Sequence, residues 1–160
     1  MRRSTGRENM HLWLGECHVH AGITADDVEQ ARQSFPDAEL LVHPECACGS
    51  RCLLDLQSCR LDSRRTKVLS TEGMVRYAAG SASDNFLVAT ETGVIHRLQL
   101  MAPGKNFMPV RRQAVCGYMK MITLEKVHGS LRDGVYPVTV EPTIADRARV
   151  AIDRMVSIGV

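Results

Sequence analysis

A recurring unit constrains this fold more than any other feature: a short apolar run, a polar turn, then residues at helical spacing. Leu40-Leu41-Val42, Val68-Leu69, Phe86-Leu87-Val88-Ala89 and Phe107 to Val110 read as strands, with Leu12-Trp13-Leu14 before them and Tyr136 to Val140 after. Helical patterns fill the intervals. Thr24-Ala25-Asp26-Asp27 predicts a cap and first turn, its acids near the positive end of the helix dipole, and Val28, Ala31 and Phe35 follow until Pro36-Asp37 breaks the run. Further helices are expected after Ser70-Thr71 through Tyr77, after Thr90-Glu91-Thr92-Gly93 through Leu100, and from a Thr123 cap through Leu131. Pro142 suits the first turn of a last amphipathic helix over Thr143 to Ile158. Strands alternating with helices predict an α/β fold, with a mostly parallel sheet carrying helices on its faces.

A chain of 160 residues with 44% hydrophobic and 24% charged residues has the composition of a globular domain. Its net charge of +2 gives no reason to expect capture of nucleic acid or of an anionic membrane. No apolar stretch approaches the roughly 20 residues that span a bilayer. The basic start, Met1-Arg2-Arg3-Ser4, is followed by no apolar core of a signal peptide. A cytoplasmic setting is therefore expected, where the six cysteines serve as thiols or metal ligands rather than disulfides.

Polar candidates collect where strands end. Cys17 and His20 follow the first run, His43, Pro44 and Glu45 the second, Ser70 and Thr71 the third, Thr90 and Glu91 the fourth, and Cys116 the fifth. Parallel strands bring such ends to one rim, where α/β proteins place their chemistry, and helix N-termini there favour anions. Thiols, imidazoles, a carboxylate and hydroxyls on one rim suit an acidic, phosphorylated substrate beside a metal. Each member also has a plainer role. A cysteine after a strand packs as a small apolar residue, a buried histidine bonds backbone, and Ser70, Thr71 and Thr90 serve as helix caps. Cys46, Cys48, Cys52 and Cys59 form the densest thiol group, but their spacing is not that of a standard zinc ribbon. Leu53, Leu54 and Leu56 suggest a short helix within that loop.

Several long segments together resemble the quinolinate synthase family. They are Gly15-Glu16-Cys17-His18-Val19-His20, His43-Pro44-Glu45-Cys46, Leu69-Ser70-Thr71-Glu72-Gly73-Met74, Val88-Ala89-Thr90-Glu91-Thr92-Gly93-Val94-Ile95-His96-Arg97, Cys116 through Lys126, and Arg147 through Met155. The resemblance implies three α/β units in pseudo-threefold array around a central site. It implies an enzyme of NAD biosynthesis that condenses iminoaspartate with dihydroxyacetone phosphate to quinolinate, with loss of phosphate and water, and L-aspartate oxidase as supplier of the iminoaspartate. It also implies a 4Fe–4S cluster held by three cysteines, its fourth iron open to substrate. Carried over by motif, Cys17 and Cys116 are cluster ligands, His20 orients substrate or acts in catalysis, and His43, Pro44 and Glu45 contact substrate, with Glu45 the acid/base. Ser70 and Thr71 bind a carboxylate or phosphate.

Certain family features have no counterpart before Cys17: the first cluster cysteine, an early histidine and serine, and a Tyr-x-Asn segment. Leu14 also stands where many relatives carry proline. The chain is thus expected to be the C-terminal portion of the enzyme. Residues 1–17 would end a middle unit, 18–115 would form a complete unit, and 116–160 would complete the first. Activity would then require the upstream portion. The competing expectations are a non-catalytic metal-binding or thiol-redox module built on Cys46, Cys48, Cys52 and Cys59, and an inactive remnant.

Overall fold

A computed structural model of the chain describes residues 6–11, 15–49, 62 and 64–158. The expected strand at Leu12-Trp13-Leu14, the short helix at Leu53 to Leu56, Cys52 and Cys59 lie outside the described residues. The chain forms two compact units, Met1–Cys116 and Gly117–Val160.

In the first unit the described elements are α1 (His18–Ala21), α2 (Ala25–Ser34), β1 (Glu39–Val42), β2 (Thr66–Val68), α3 (Thr71–Gly80), β3 (Asn85–Ala89), α4 (Val94–Met101) and β4 (Asn106–Pro109). The four strands form one sheet in the order β2-β1-β3-β4, with every pairing parallel. The α/β expectation therefore holds. Leu40-Leu41-Val42 and Phe86-Leu87-Val88-Ala89 are almost wholly buried because β1 and β3 are central and covered on both faces.

Side chains alternate between those faces, as strand geometry requires. Leu40, Val42, Leu87 and Ala89 pack with Val19, Ile23 and Val28 from α1, α2 and the turn between them, and with Cys46, Cys48, Ala114 and Cys116. Leu41, Phe86 and Val88 pack with Met74, Val75 and Ala78 of α3, Leu98 of α4, and Phe107. On that second face Phe86 and Phe107 stack with ring centroids 5.3 Å apart.

Helix starts follow their caps. Thr24 and Asp27 form a reciprocal capping box, Asp27 N–H donating to Thr24 Oγ1 at 3.2 Å and Thr24 N–H to Asp27 Oδ2 at 2.8 Å. Burial alone would raise the Asp27 pKa. The Thr24 bonds and the Arg111 guanidinium outweigh it and hold the carboxyl below its usual range. Ser70 Oγ accepts the Gly73 N–H at 3.2 Å and starts α3.

The second unit contains α5 (Gly117–Lys120), α6 (Leu124–Asp133) and α7 (Pro142–Ile158). Thr123 caps α6, and Gly134 ends it in the left-handed conformation at φ 59°. At α7 the Glu141 carboxylate accepts the Thr143 and Ile144 N–H groups. The strand expected over Tyr136 to Val140 does not form. Tyr136 takes φ 61°, outside strand geometry, and Pro137 has no N–H to give a ladder.

Candidate active site

Strand register levels the carboxyl ends. Val42 lies opposite Val68 on one side and Ala89 on the other. The chain runs from β1 to β2 on one side and returns to β3 on the other, so a crevice opens beyond β1 and β3, where open α/β sheets bind ligands. His43 follows β1 there, and its N–H donates to Ala89 O at 3.1 Å. Thr90 follows β3. Leu69 N–H donates to Val42 O at 2.9 Å, which carries Ser70 and Thr71 to the same rim, both exposed.

His20 reaches this crevice from α1. Its imidazole is 9% exposed and stacks on His43 with ring centroids 4.5 Å apart. Nε2 of His20 is 2.9 Å from Thr90 Oγ1 in a buried hydrogen bond. Its Nδ1, also buried, has no hydrogen-bond partner, and Glu45 Oε2 lies 3.6 Å from it. The same oxygen lies 4.0 Å from His43 Nδ1, and that nitrogen accepts the Glu45 N–H at 3.3 Å. This bond assigns the neutral His43 proton to Nε2. Burial is the main reason the His20 pKa falls below its ordinary value, and neighbouring His43 adds to it, while Glu45 pulls the other way. His20 is therefore neutral at pH 7.

His20, His43 and Glu45 can each offer one ligand atom, the three within 4.8 Å of one another, a spacing that can hold a metal ion. The Glu45 side chain is 69% exposed, so the carboxylate can also exchange protons with solvent. Pro44 is exposed between His43 and Glu45. Gly49 closes the turn behind them, where an added Cβ would come within 3.2 Å of His43 O.

Cys17 and Cys116 are free thiols. Cys116 is buried, Cys17 is half-buried, and both pack against the same apolar layer. Cys17 stands at the N-cap of α1 with no side-chain capping bond, so its sulfur is not engaged there. An open cavity of about 550 Å³ is lined by Gly15, Glu16, Cys17 and Glu45, placing one thiol and the acid/base candidate on the same space.

The expectation that all cysteines are thiols is corrected at two positions. Cys46 and Cys48 are joined in a disulfide, with Cα atoms 5.1 Å apart, within the span a disulfide bridges. Both are buried, and neither sulfur is a free metal donor. A metal site on the four loop cysteines thus loses two of its donors, whereas a thiol-redox pair would be oxidised here.

Two residues at the end of β3 do more than their sequence context suggested. Thr90 is 4% exposed and serves His20, not a helix cap. Glu91 accepts the Gly93 N–H at 2.6 Å and the Cys116 N–H at 3.2 Å. A threonine and a glutamate directly after a buried strand were the available signal.

A parallel, doubly wound sheet with paired imidazoles, a carboxylate and free thiols near its switch point is an α/β architecture of the kind that binds ligands at that edge. The family model described as quinolinate synthetase A protein matches residues 1–157. The chain belongs to that family. It is 49% identical to a quinolinate synthase of Pyrobaculum aerophilum over 155 residues, covering 97% of this chain and 49% of that protein. A quinolinate synthase of Thermus thermophilus is 50% identical over 157 residues, 98% of this chain and 48% of the relative. One from Mycobacterium tuberculosis is 44% identical over 159 residues, 99% and 46% respectively. The chain spans about half the length of the curated relatives it matches. No helix among the described residues is long and apolar enough to cross a membrane.

Proposed function

We propose that this chain supplies the acid/base side chains and two cluster thiolates of a quinolinate synthase, acting in the cytoplasm with an upstream portion of the enzyme. Iminoaspartate and dihydroxyacetone phosphate would condense to quinolinate, with loss of phosphate and water, and L-aspartate oxidase would supply the iminoaspartate. Residues 18–115 form one α/β unit of the assembly, residues 1–17 end the preceding unit, and 116–160 complete the first. The observation that carries this reading is the His20–His43–Glu45 cluster, with a buried unpartnered nitrogen, next to a cavity lined by a free thiol.

Cys17 and Cys116 would hold a 4Fe–4S cluster. Their fit rests on donor chemistry: both thiols are free, neither is in the disulfide, and both pack in one layer. When bound, the cluster supplies an open iron position that polarises substrate oxygen. Glu45 moves a proton at Oε2, which lies 3.6 Å from His20 Nδ1 and 4.0 Å from His43 Nδ1 on the same side of the crevice. Neutral His20 keeps Nε2 against Thr90, which leaves Nδ1 to face and orient substrate. His43 presents its Nε2 proton to a substrate oxygen. Pro44 disfavours a helical backbone at His43. Ser70 and Thr71, with the first-turn amides of α3, receive a carboxylate or phosphate.

Anaerobic reconstitution of this chain joined to the upstream half of a relative tests the ligand assignment. Cys17→Ala and Cys116→Ala should each abolish the cluster's visible absorbance. A full cluster retained in either variant overturns the assignment.

A further inference from the structure

We infer that Glu91 is a positioning residue that fixes the backbone of Cys116 against the end of β3, in step with Thr90, which fixes His20. The inference rests on the proposed role of Cys116 as a ligand. Between β4 and Cys116 the chain leaves the sheet at Val110, whose N–H still bonds Val88 O at 3.0 Å. From there it is pinned back to the loop after β3 at two points. Thr92 N–H donates to Ala114 O at 2.9 Å, and Glu91 Oε1 accepts Cys116 N–H at 3.2 Å. The other carboxylate oxygen accepts Gly93 N–H at 2.6 Å, so the acid spans its own turn and the thiol-bearing residue at once. A charged acceptor makes the stronger kind of N–H bond, and two bonds to one carboxylate fix its plane.

Thr90, adjacent in sequence, holds His20 across 70 residues through a buried bond. Consecutive residues thus locate a proton-handling imidazole and a sulfur donor relative to one strand end. An ordinary helix-capping role for Glu91 would need only the Gly93 bond. Its second bond, to the one amide that carries the Cys116 side chain, is what marks it as a positioning group.

The test is site-resolved iodoacetamide alkylation of the cluster-free full chain, read by mass spectrometry at Cys116 and Cys17. Cys116 is 8% exposed, so its reaction requires local opening. Glu91→Ala should raise the Cys116 rate about tenfold or more and leave Cys17 unchanged. Glu91→Gln, which keeps an acceptor for the amide, should restore the slow rate. Glu91→Asp keeps the charge but shortens the reach, and it should behave like alanine, which covers the case in which alanine fails to fold. An unchanged Cys116 rate in Glu91→Ala and Glu91→Asp overturns the inference, as does an equal rise at Cys17. Iron bound after reconstitution of the chain joined to the upstream half of a relative separates this from the ligand assignment. If Cys116→Ala keeps its iron, the ligand role fails whatever the alkylation shows. If Cys116→Ala loses iron and the Glu91 variants alkylate like the parent, only the positioning role fails.

Discussion

The two faces of the sheet are built differently from the same strands. One buries Phe86, Phe107, Met74 and Leu98, with the Lys105 ammonium 5.6 Å from the Phe86 ring centre. The other buries Ala38, Ala89 and Ala114 beside every described cysteine. Sulfur lies on the face that leads to His20 and Cys116, beside Ile23, Leu40 and Leu87, while the two phenylalanine rings lie on the other. Candidate site chemistry is thus confined to one face while both faces carry core packing, so a change on the phenylalanine face should lower stability without touching the thiols.

The largest expected effect is on the bulky face. Phe86→Ala removes a fully buried ring stacked on Phe107 and should cost about 3–5 kcal/mol in denaturant unfolding. Alkylation of Cys17 under native conditions should stay as it was. If the Cys17 rate changes while the protein remains folded, the faces are not independent. Ser70→Ala comes next, on the rim: loss of the α3 cap should cost about 1 kcal/mol. Under the proposed function it should also weaken binding of a carboxylate or phosphate substrate, measured as a raised KM. Loss of stability with an unchanged KM would leave Ser70 a cap only.

The pH response is smaller and carries a definite sign. Burial lowers the folded pKa of His20, so the unfolded chain binds the extra proton first as pH falls. The His20 contribution is fully present above the unfolded value, near 6.5, and is lost as pH drops through the lower folded value. Stability should therefore fall on acidification through that window, and His20→Gln should flatten the curve there. A slope of the same size in the variant would assign it to other groups. The smallest effect belongs to Arg97→Ala. Its 2.7 Å pair with Glu72 is half exposed and should contribute about 0–1 kcal/mol, an amount that salt removes.

The fold was legible where strands were continuous apolar runs. Phe86 to Ala89 could hardly be anything but a central strand, and Thr24 with Asp27 announced its helix through side chains that bond the backbone nearby. Tyr136 to Val140 misled because alternation alone does not make a strand. Its proline has no ladder hydrogen, and Tyr136 adopts a positive φ that the pattern does not reveal. At the site, His20, His43 and Glu45 were legible as a strand-end group, yet their stacking and shared oxygen depend on contacts far apart in sequence. Thr90 and Glu91 stood in plain view at a strand end, Thr90 with the plainer role of a cap, but their partners His20 and Cys116 come from other segments. The Cys46–Cys48 bond went against expectation because reasoning from compartment says nothing about two sulfurs held side by side.

The strand order has a consequence for synthesis. β1 precedes the other strands of its sheet in sequence but takes its neighbours from later in the chain, β2 on one side and β3 on the other. A ribosome must deliver everything through Ala89 before Leu40-Leu41-Val42 is covered at both edges. Until then the emerging chain displays an unpaired apolar ribbon, the kind of edge that aggregates. His20 and His43 are made before Thr90, which anchors His20, so a nascent chain stalled before β3 would leave that histidine without its partner.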